Sequence, residues 1–98
     1  MLEKEIEKAL ISAVKNIGGW CLKLSCPGTD GIPDRLVLLP NGRCAFVELK
    51  APGKKPRPLQ VKRMRQLASL GFRCYVIDGK EQIQKTLDEI KAEGGDAS

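Results

Sequence analysis

The sequence predicts an α/β domain built on a mixed four-stranded sheet. Three observations carry this prediction. Ile6, Leu10, Val14 and Ile17 recur at helical spacing over residues 2–17. Residues 31–50 hold two apolar runs on either side of Pro40-Asn41-Gly42, the pattern of a β-hairpin. A strand, a helix and a strand then follow one another, and the right-handed crossover of such a unit implies parallel pairing. An antiparallel hairpin joined to a parallel strand makes the sheet mixed. At 98 residues the chain suits one domain with a modest core, expected over 1–93 with 94–98 as a flexible tail.

Each element has a local reason. Glu3, Glu5 and Glu7 crowd the start of the first helix, where the helix dipole favours acids, and Gly18-Gly19 stops it. Glu3 and Glu7 stand four apart, so both lie near one face, beside Ile6 and Leu10. Residues 20–25, Trp-Cys-Leu-Lys-Leu-Ser, read as a first strand, with Lys23 either on a functional face or as a solvated edge lysine. Cys26 to Pro33 is dense in turn residues and should be a surface loop that delivers Asp34 into the sheet.

The hairpin turn fixes which side chains share a face. A two-residue loop at Asn41-Gly42 would make Pro40 part of the closing hydrogen-bonded pair, and proline has no N–H to give. A three-residue loop is expected instead, a type I turn through Pro40 and Asn41 followed by a left-handed Gly42. Leu39 then pairs with Arg43, and Asp34 falls opposite Glu48. Glu48 and Lys50 share a face, roughly 7 Å apart along the strand.

Beyond the hairpin, Ala51 to Pro58 contains three prolines, a glycine and the basic residues Lys54, Lys55 and Arg57, so it is expected to be a basic loop. Pro58 suits the first turn of a helix running to about Leu70, with Val61, Met64, Leu67 and Ala68 as its apolar face. Lys62, Arg63 and Arg65 lie on other faces, and Gln60 sits in the first turn. Phe72 to Ile77 reads as the fourth strand. A last helix over residues 80–92 turns Ile83, Leu87 and Ile90 inward.

Composition narrows the chemistry. Seventeen Lys and Arg against 12 Asp and Glu give a net charge of +5 and a pI near 9.2, which favours a polyanionic partner, most simply nucleic acid. The chain has no histidine, which removes histidine triads, histidine bases and histidine metal sites. Its four cysteines form no C-x-x-C pair, so a zinc cluster is not expected. The chain shows no signal peptide and no membrane-length apolar run, so a cytoplasmic location is expected, with no membrane partner.

What remains is a set of acids and an amine at one end of an apolar hairpin. Asp34 and Glu48 supply the oxygen ligands that Mg²⁺ or Mn²⁺ prefers, and the backbone carbonyl of Leu49 could add a third. Glu3 or Glu7 could join them from the first helix. Lys50 could orient or deprotonate an attacking water, or stabilise a pentavalent phosphate; between two carboxylates it is expected to act through its charge. This constellation hydrolyses phosphodiesters without histidine. Contacts to the nucleic acid are expected from Lys23, Arg35, Lys54, Lys55, Arg57 and Lys62.

The ordered set Gly31-Ile32-Pro33-Asp34-Arg35, then Phe46-Val47-Glu48-Leu49-Lys50-Ala51-Pro52-Gly53, then Leu59-Gln60 resembles the virus-type replication-repair nuclease domain (VRR-NUC), a branch of the PD-(D/E)XK nuclease superfamily. The resemblance covers most of the chain, as a stand-alone minimal member. It implies a restriction-endonuclease-like α-β-β-β-α-β core with a C-terminal helix, and Mg²⁺- or Mn²⁺-dependent DNA cleavage. It implies Asp34 and Glu48 as metal ligands, Lys50 as the catalytic lysine and Gln60 as the helix glutamine near the metal. The first-helix glutamate of the family falls best on Glu3, with Glu7 as the alternative. Stand-alone and phage-encoded relatives of this kind imply a homodimer that cuts branched DNA such as Holliday junctions in replication, recombination or repair, within a bacterial or phage-infected cell. Two rival readings share the basic surface: a non-catalytic nucleic-acid-binding module of the same fold, and a less selective DNA or RNA nuclease.

Overall fold

The computed structural model describes residues 2–92; the expected tail at 94–98 lies outside the described residues. The chain runs α1 (Glu3–Asn16), β1 (Trp20–Lys23), β2 (Arg35–Leu39), β3 (Arg43–Leu49), α2 (Pro58–Ser69), β4 (Cys74–Ile77) and α3 (Ile83–Ala92). Single 3₁₀ turns occupy Pro40–Gly42 and Lys80–Gln82. The sheet order is β1-β2-β3-β4. The first three strands pair antiparallel and β4 joins β3 in parallel, so the mixed sheet and the α-β-β-β-α-β order are as the sequence predicts.

The register follows from proline chemistry. Leu39 faces Arg43 and Arg35 faces Val47, so Asp34, one residue before β2, comes opposite Glu48. The turn itself differs from the expected type I. Asn41 is left-handed (φ 69°, ψ 25°), as is Gly42 (φ 73°). Two successive left-handed residues reverse the chain while leaving Pro40 outside the ladder, and asparagine tolerates that conformation better than most side chains.

Alternation then sorts the sheet into two unlike faces. One face carries Val37, Leu39, Ala45, Val47, Leu49 and Ile77 against Ile6, Leu10 and Val14 of α1 and Ile83, Leu87 and Ile90 of α3. All of these are buried, and they form the core. The other face carries Glu48 and Cys74 and is covered by α2 near β3 and β4 only. Cys74 Sγ lies 3.8 Å from the Met64 carbonyl oxygen, and Gln60 reaches Glu48. The apolar face predicted for α2 is only half sunk: Val61, Met64 and Leu67 are partly buried, and Ala68 is exposed. Toward β1 this face stays open, with Trp20 68% and Leu22 39% exposed.

Several elements are shorter than expected: α1 runs Glu3–Asn16 rather than 2–17, and α3 starts at Ile83, with a 3₁₀ turn over Lys80–Gln82 where the helix was expected to begin. β1 stops at Lys23, although the Leu24 N–H still donates to the Asp34 carbonyl oxygen at 2.9 Å. β4 begins at Cys74, with only the Arg73 carbonyl accepting from Phe46 ahead of it. α2 ends at Ser69.

Candidate active site

Asp34 and Glu48 meet across the open end of the hairpin, and each carboxylate grips the other strand's backbone. The Asp34 N–H donates to Glu48 Oε1 at 3.2 Å. The Leu49 N–H donates to Asp34 Oδ2 at 3.1 Å. These two bonds continue the β2–β3 ladder with side-chain oxygens where the strands part. Pro33, fully buried, stiffens the backbone that brings Asp34 in.

Glu48 is the unusual group. It is 1% exposed, on a protein interior that disfavours charge. Gln60 Nε2 donates to its Oε2 at 2.8 Å, and Lys50 Nζ lies 3.1 Å from the same oxygen. Burial is the largest influence on its carboxyl, followed by the charge of Asp34; both push its pKa up from 4.5, against Lys50 and the Asp34 N–H, which pull it down. Net, the protein holds a carboxylate that lacks enough positive charge around it.

Counting lone pairs shows where a cation would fit. Each carboxylate oxygen can accept about two bonds. Glu48 Oε2 is filled by Gln60 and Lys50, while Glu48 Oε1 and Asp34 Oδ2 each accept one backbone N–H. Asp34 Oδ1 accepts none of the described hydrogen bonds. Two adjacent acids thus keep acceptor capacity on the oxygens turned away from Gln60 and Lys50. Hard oxygen donors with surplus negative charge fit Mg²⁺ or Mn²⁺. Among the described residues no third His, Cys, Asp or Glu completes a cluster with them.

Gln60 works in two directions. Its Nε2 holds Glu48, and its Oε1 accepts the Arg57 N–H at 2.8 Å, half of a capping box at the start of α2. It is the buried residue of that helix. The sequence-predicted quartet of Asp34, Glu48, Lys50 and Gln60 is therefore brought together. Leu49, expected to offer its carbonyl, engages the site through its N–H.

Other predicted residues are placed elsewhere. Arg35, expected among the nucleic-acid contacts, is instead buried. It follows Asp34 and so turns to the opposite sheet face, where it is 8% exposed. Its Nη2 bonds Glu7 Oε2 at 2.6 Å and its Nη1 reaches the Cys21 carbonyl oxygen at 3.3 Å, while its Nε has no hydrogen-bond partner among the described residues. Glu7 is thereby tied to Arg35, whose hydrogen bond holds its carboxyl below the usual value. Glu3 is exposed one turn earlier, and none of the described hydrogen bonds or ion pairs links it to Asp34 or Glu48. Lys23 stands opposite Arg35, on the face away from Glu48 rather than toward it.

Lys54, Lys55, Arg57 and Lys62 are exposed, in the loop leaving Lys50 and on α2. Arg63, expected to extend that positive surface, is engaged: Nε donates to the Asp30 carbonyl oxygen at 2.8 Å and Nη1 to Gln66 at 3.0 Å. Sequence reasoning missed Asp78, whose Oδ2 accepts the Gly53 N–H at 3.4 Å and roots the basic loop beside β4. It also missed the Glu7–Arg35 pair, although the period-two position of Arg35 ahead of Val37 and Leu39 signals the core face.

No family model matches the sequence. The chain is 49% identical over 79 residues to the protein named "Putative nuclease p44" of Acyrthosiphon pisum secondary endosymbiont phage 1, covering 81% of this chain and 85% of that one. Its fold is similar to a solved structure described as "VRR_NUC domain", with a TM-score of 0.82 and 32% identity, covering 88% of this chain and 94% of the other.

Proposed function

The chain belongs to the VRR_NUC nuclease family, and from that premise we propose that it is a Mg²⁺- or Mn²⁺-dependent endodeoxyribonuclease acting on branched DNA, Holliday junctions included. One observation carries the reading: a 1% exposed Glu48 fixed against Asp34, with Lys50 Nζ at 3.1 Å, on a chain without histidine. A buried carboxylate set against a second, half-buried one costs stability unless a cation joins them.

Asp34 and Glu48 would hold the ion, helped by the Leu49 carbonyl. The bound ion would supply a more acidic water and neutralise charge on the phosphate. The remaining work belongs to the chain. Lys50, anchored on Glu48, presents its ammonium to the charge that builds on the phosphate oxygens. Gln60 keeps Glu48 in one rotamer, so the acceptor oxygens stay aimed at the same point. Lys54, Lys55, Arg57 and Lys62 hold the DNA backbone around the site without reading sequence.

A second copy of the chain is the proposed protein partner. Paired cuts need two sites related by symmetry, and one domain has one site. The part of the Glu48-bearing sheet face left uncovered at β1 and β2 presents the apolar side chains of Trp20, Leu22, Leu36 and Leu38, which suit protein better than a polyanion.

Cleavage of four-way junction, flap, duplex and single-stranded DNA with Mg²⁺, Mn²⁺ or EDTA tests the proposal. Metal-dependent cutting that prefers the junction is expected, with a loss of at least about 100-fold in Asp34→Asn. Binding of DNA with no metal-dependent cutting would make the protein a non-catalytic module. Equal cutting of all substrates, or of RNA, would remove the junction preference.

A further inference from the structure

The loop that delivers Asp34 and the helix that delivers Gln60 meet at one close contact. Gly31 has φ +87°, and a Cβ there would stand 2.8 Å from Leu59 Cγ, 3.2 Å from the Leu59 carbonyl oxygen and 3.2 Å from Arg63 Cγ. The loop backbone therefore lies directly on the first turns of α2, in a conformation and at a distance that favour glycine. Arg63 closes the contact by donating from Nε to the Asp30 carbonyl oxygen at 2.8 Å. Its planar guanidinium is held in turn by Gln66 Oε1 at 3.0 Å. Among the described hydrogen bonds, this is the one that joins residues 26–32 to another element.

The same helix reaches the second acid. Gln60, one turn ahead of Arg63, donates to Glu48 Oε2 at 2.8 Å. The start of α2 thus supports both carboxylates, Glu48 through Gln60 and Asp34 through the segment that Arg63 pins at Asp30. Between that pin and Asp34 stand only Gly31, Ile32 and the buried Pro33, a stretch with little slack.

We propose that Arg63 is a positioning residue for the metal site: it holds the 30–34 segment so that Asp34 meets Glu48 in the arrangement a divalent cation needs. The proposal rests on the metal-dependent nuclease reading above. It separates Arg63 from Lys62 and Arg65, whose exposed side chains suit phosphate contacts. Groups that orient metal ligands typically matter by 10–100-fold in metal affinity when removed.

The test is Mn²⁺ binding to the metal-stripped protein without DNA, followed by the loss of the free Mn²⁺ electron-paramagnetic-resonance signal. The variants are Asp34→Asn, Arg63→Ala, Arg63→Met, Arg63→Lys and Arg65→Ala, with thermal melting beside each. Arg63→Met keeps an aliphatic stem over Gly31 and removes the donor, so the test survives if Arg63→Ala folds poorly. Arg63→Ala and Arg63→Met are expected to weaken Mn²⁺ binding about 10-fold, Arg63→Lys to recover part of it, and Arg65→Ala to leave it unchanged. Wild-type Mn²⁺ affinity in a folded Arg63→Met would overturn the proposal. If wild type and Asp34→Asn bind Mn²⁺ alike, the metal site itself is wrong, and the role of Arg63 falls with it.

Discussion

Glu48 shows how one residue sets a conflict between stability and chemistry. Burial raises its pKa above 4.5, so the folded protein binds its proton more tightly than the unfolded chain does. The stability this group contributes is complete below the ordinary carboxylate range and is lost as pH rises through the raised value. A cation bound beside the ionised carboxylate would reverse that loss. In urea denaturation with EDTA, the Glu48 contribution should therefore decline from pH 4.5 upward, and the added stability from Mn²⁺ should grow over the same interval. Mn²⁺ stabilisation that does not change with pH would contradict this account. The conflict was legible in part: the sequence places two acids and an amine at one corner, but burial of Glu48 under Gln60 depends on where α2 lands.

At the scale of elements, the hairpin was read correctly because proline removes an option. Pro40 cannot close a ladder, and that single missing N–H sets the register that brings Asp34 to Glu48. The turn type was misjudged because the left-handed state of Asn41 costs too little for a sequence to forbid it. α1 was placed correctly by its spacing, yet its glutamate Glu7 serves a different end. Glu7 pins α1 to β2 through Arg35, one residue from Asp34. Glu7→Gln should cost about 3 kcal/mol in chemical denaturation, because Arg35 would keep its charge in the core with no counter-ion. That is the low end of the usual range, since water reaches Glu7. Glu7→Leu combined with Arg35→Met should recover most of the loss; an unchanged midpoint in the single variant would show that the pair is solvated. Here Glu7 behaves oppositely to Glu48, its lowered pKa contributing stability above the ordinary range and losing it as pH falls.

The whole molecule is lopsided. Two helices bury one sheet face, and a single half-sunk helix covers part of the other. Periodicity predicted α2 as amphipathic but could not show how little of the sheet it would shield, because coverage depends on the length of the Ala51–Pro58 loop and the tilt it permits. The exposed Trp20 and Leu22 follow from that shortfall. If a second copy covers them, Trp20→Lys should halve the mass seen by light scattering and keep the monomer folded. Cutting of a single strand by that variant should persist while paired junction incision declines. An unchanged mass would place the contact elsewhere or remove it. The basic loop was readable from composition alone, but its anchor at Asp78 was not, since Gly53 and Asp78 lie far apart in the chain.

The mutual grip of Asp34 and Glu48 on each other's strands has a practical corollary for anyone wanting a silent form of this enzyme. Alanine at position 34 would remove the acceptor for the Leu49 N–H and let the hairpin mouth fray, so a dead variant made that way would also be a misshapen one. Asparagine leaves an oxygen for that N–H while lowering the negative charge, and is the better choice for trapping DNA uncut.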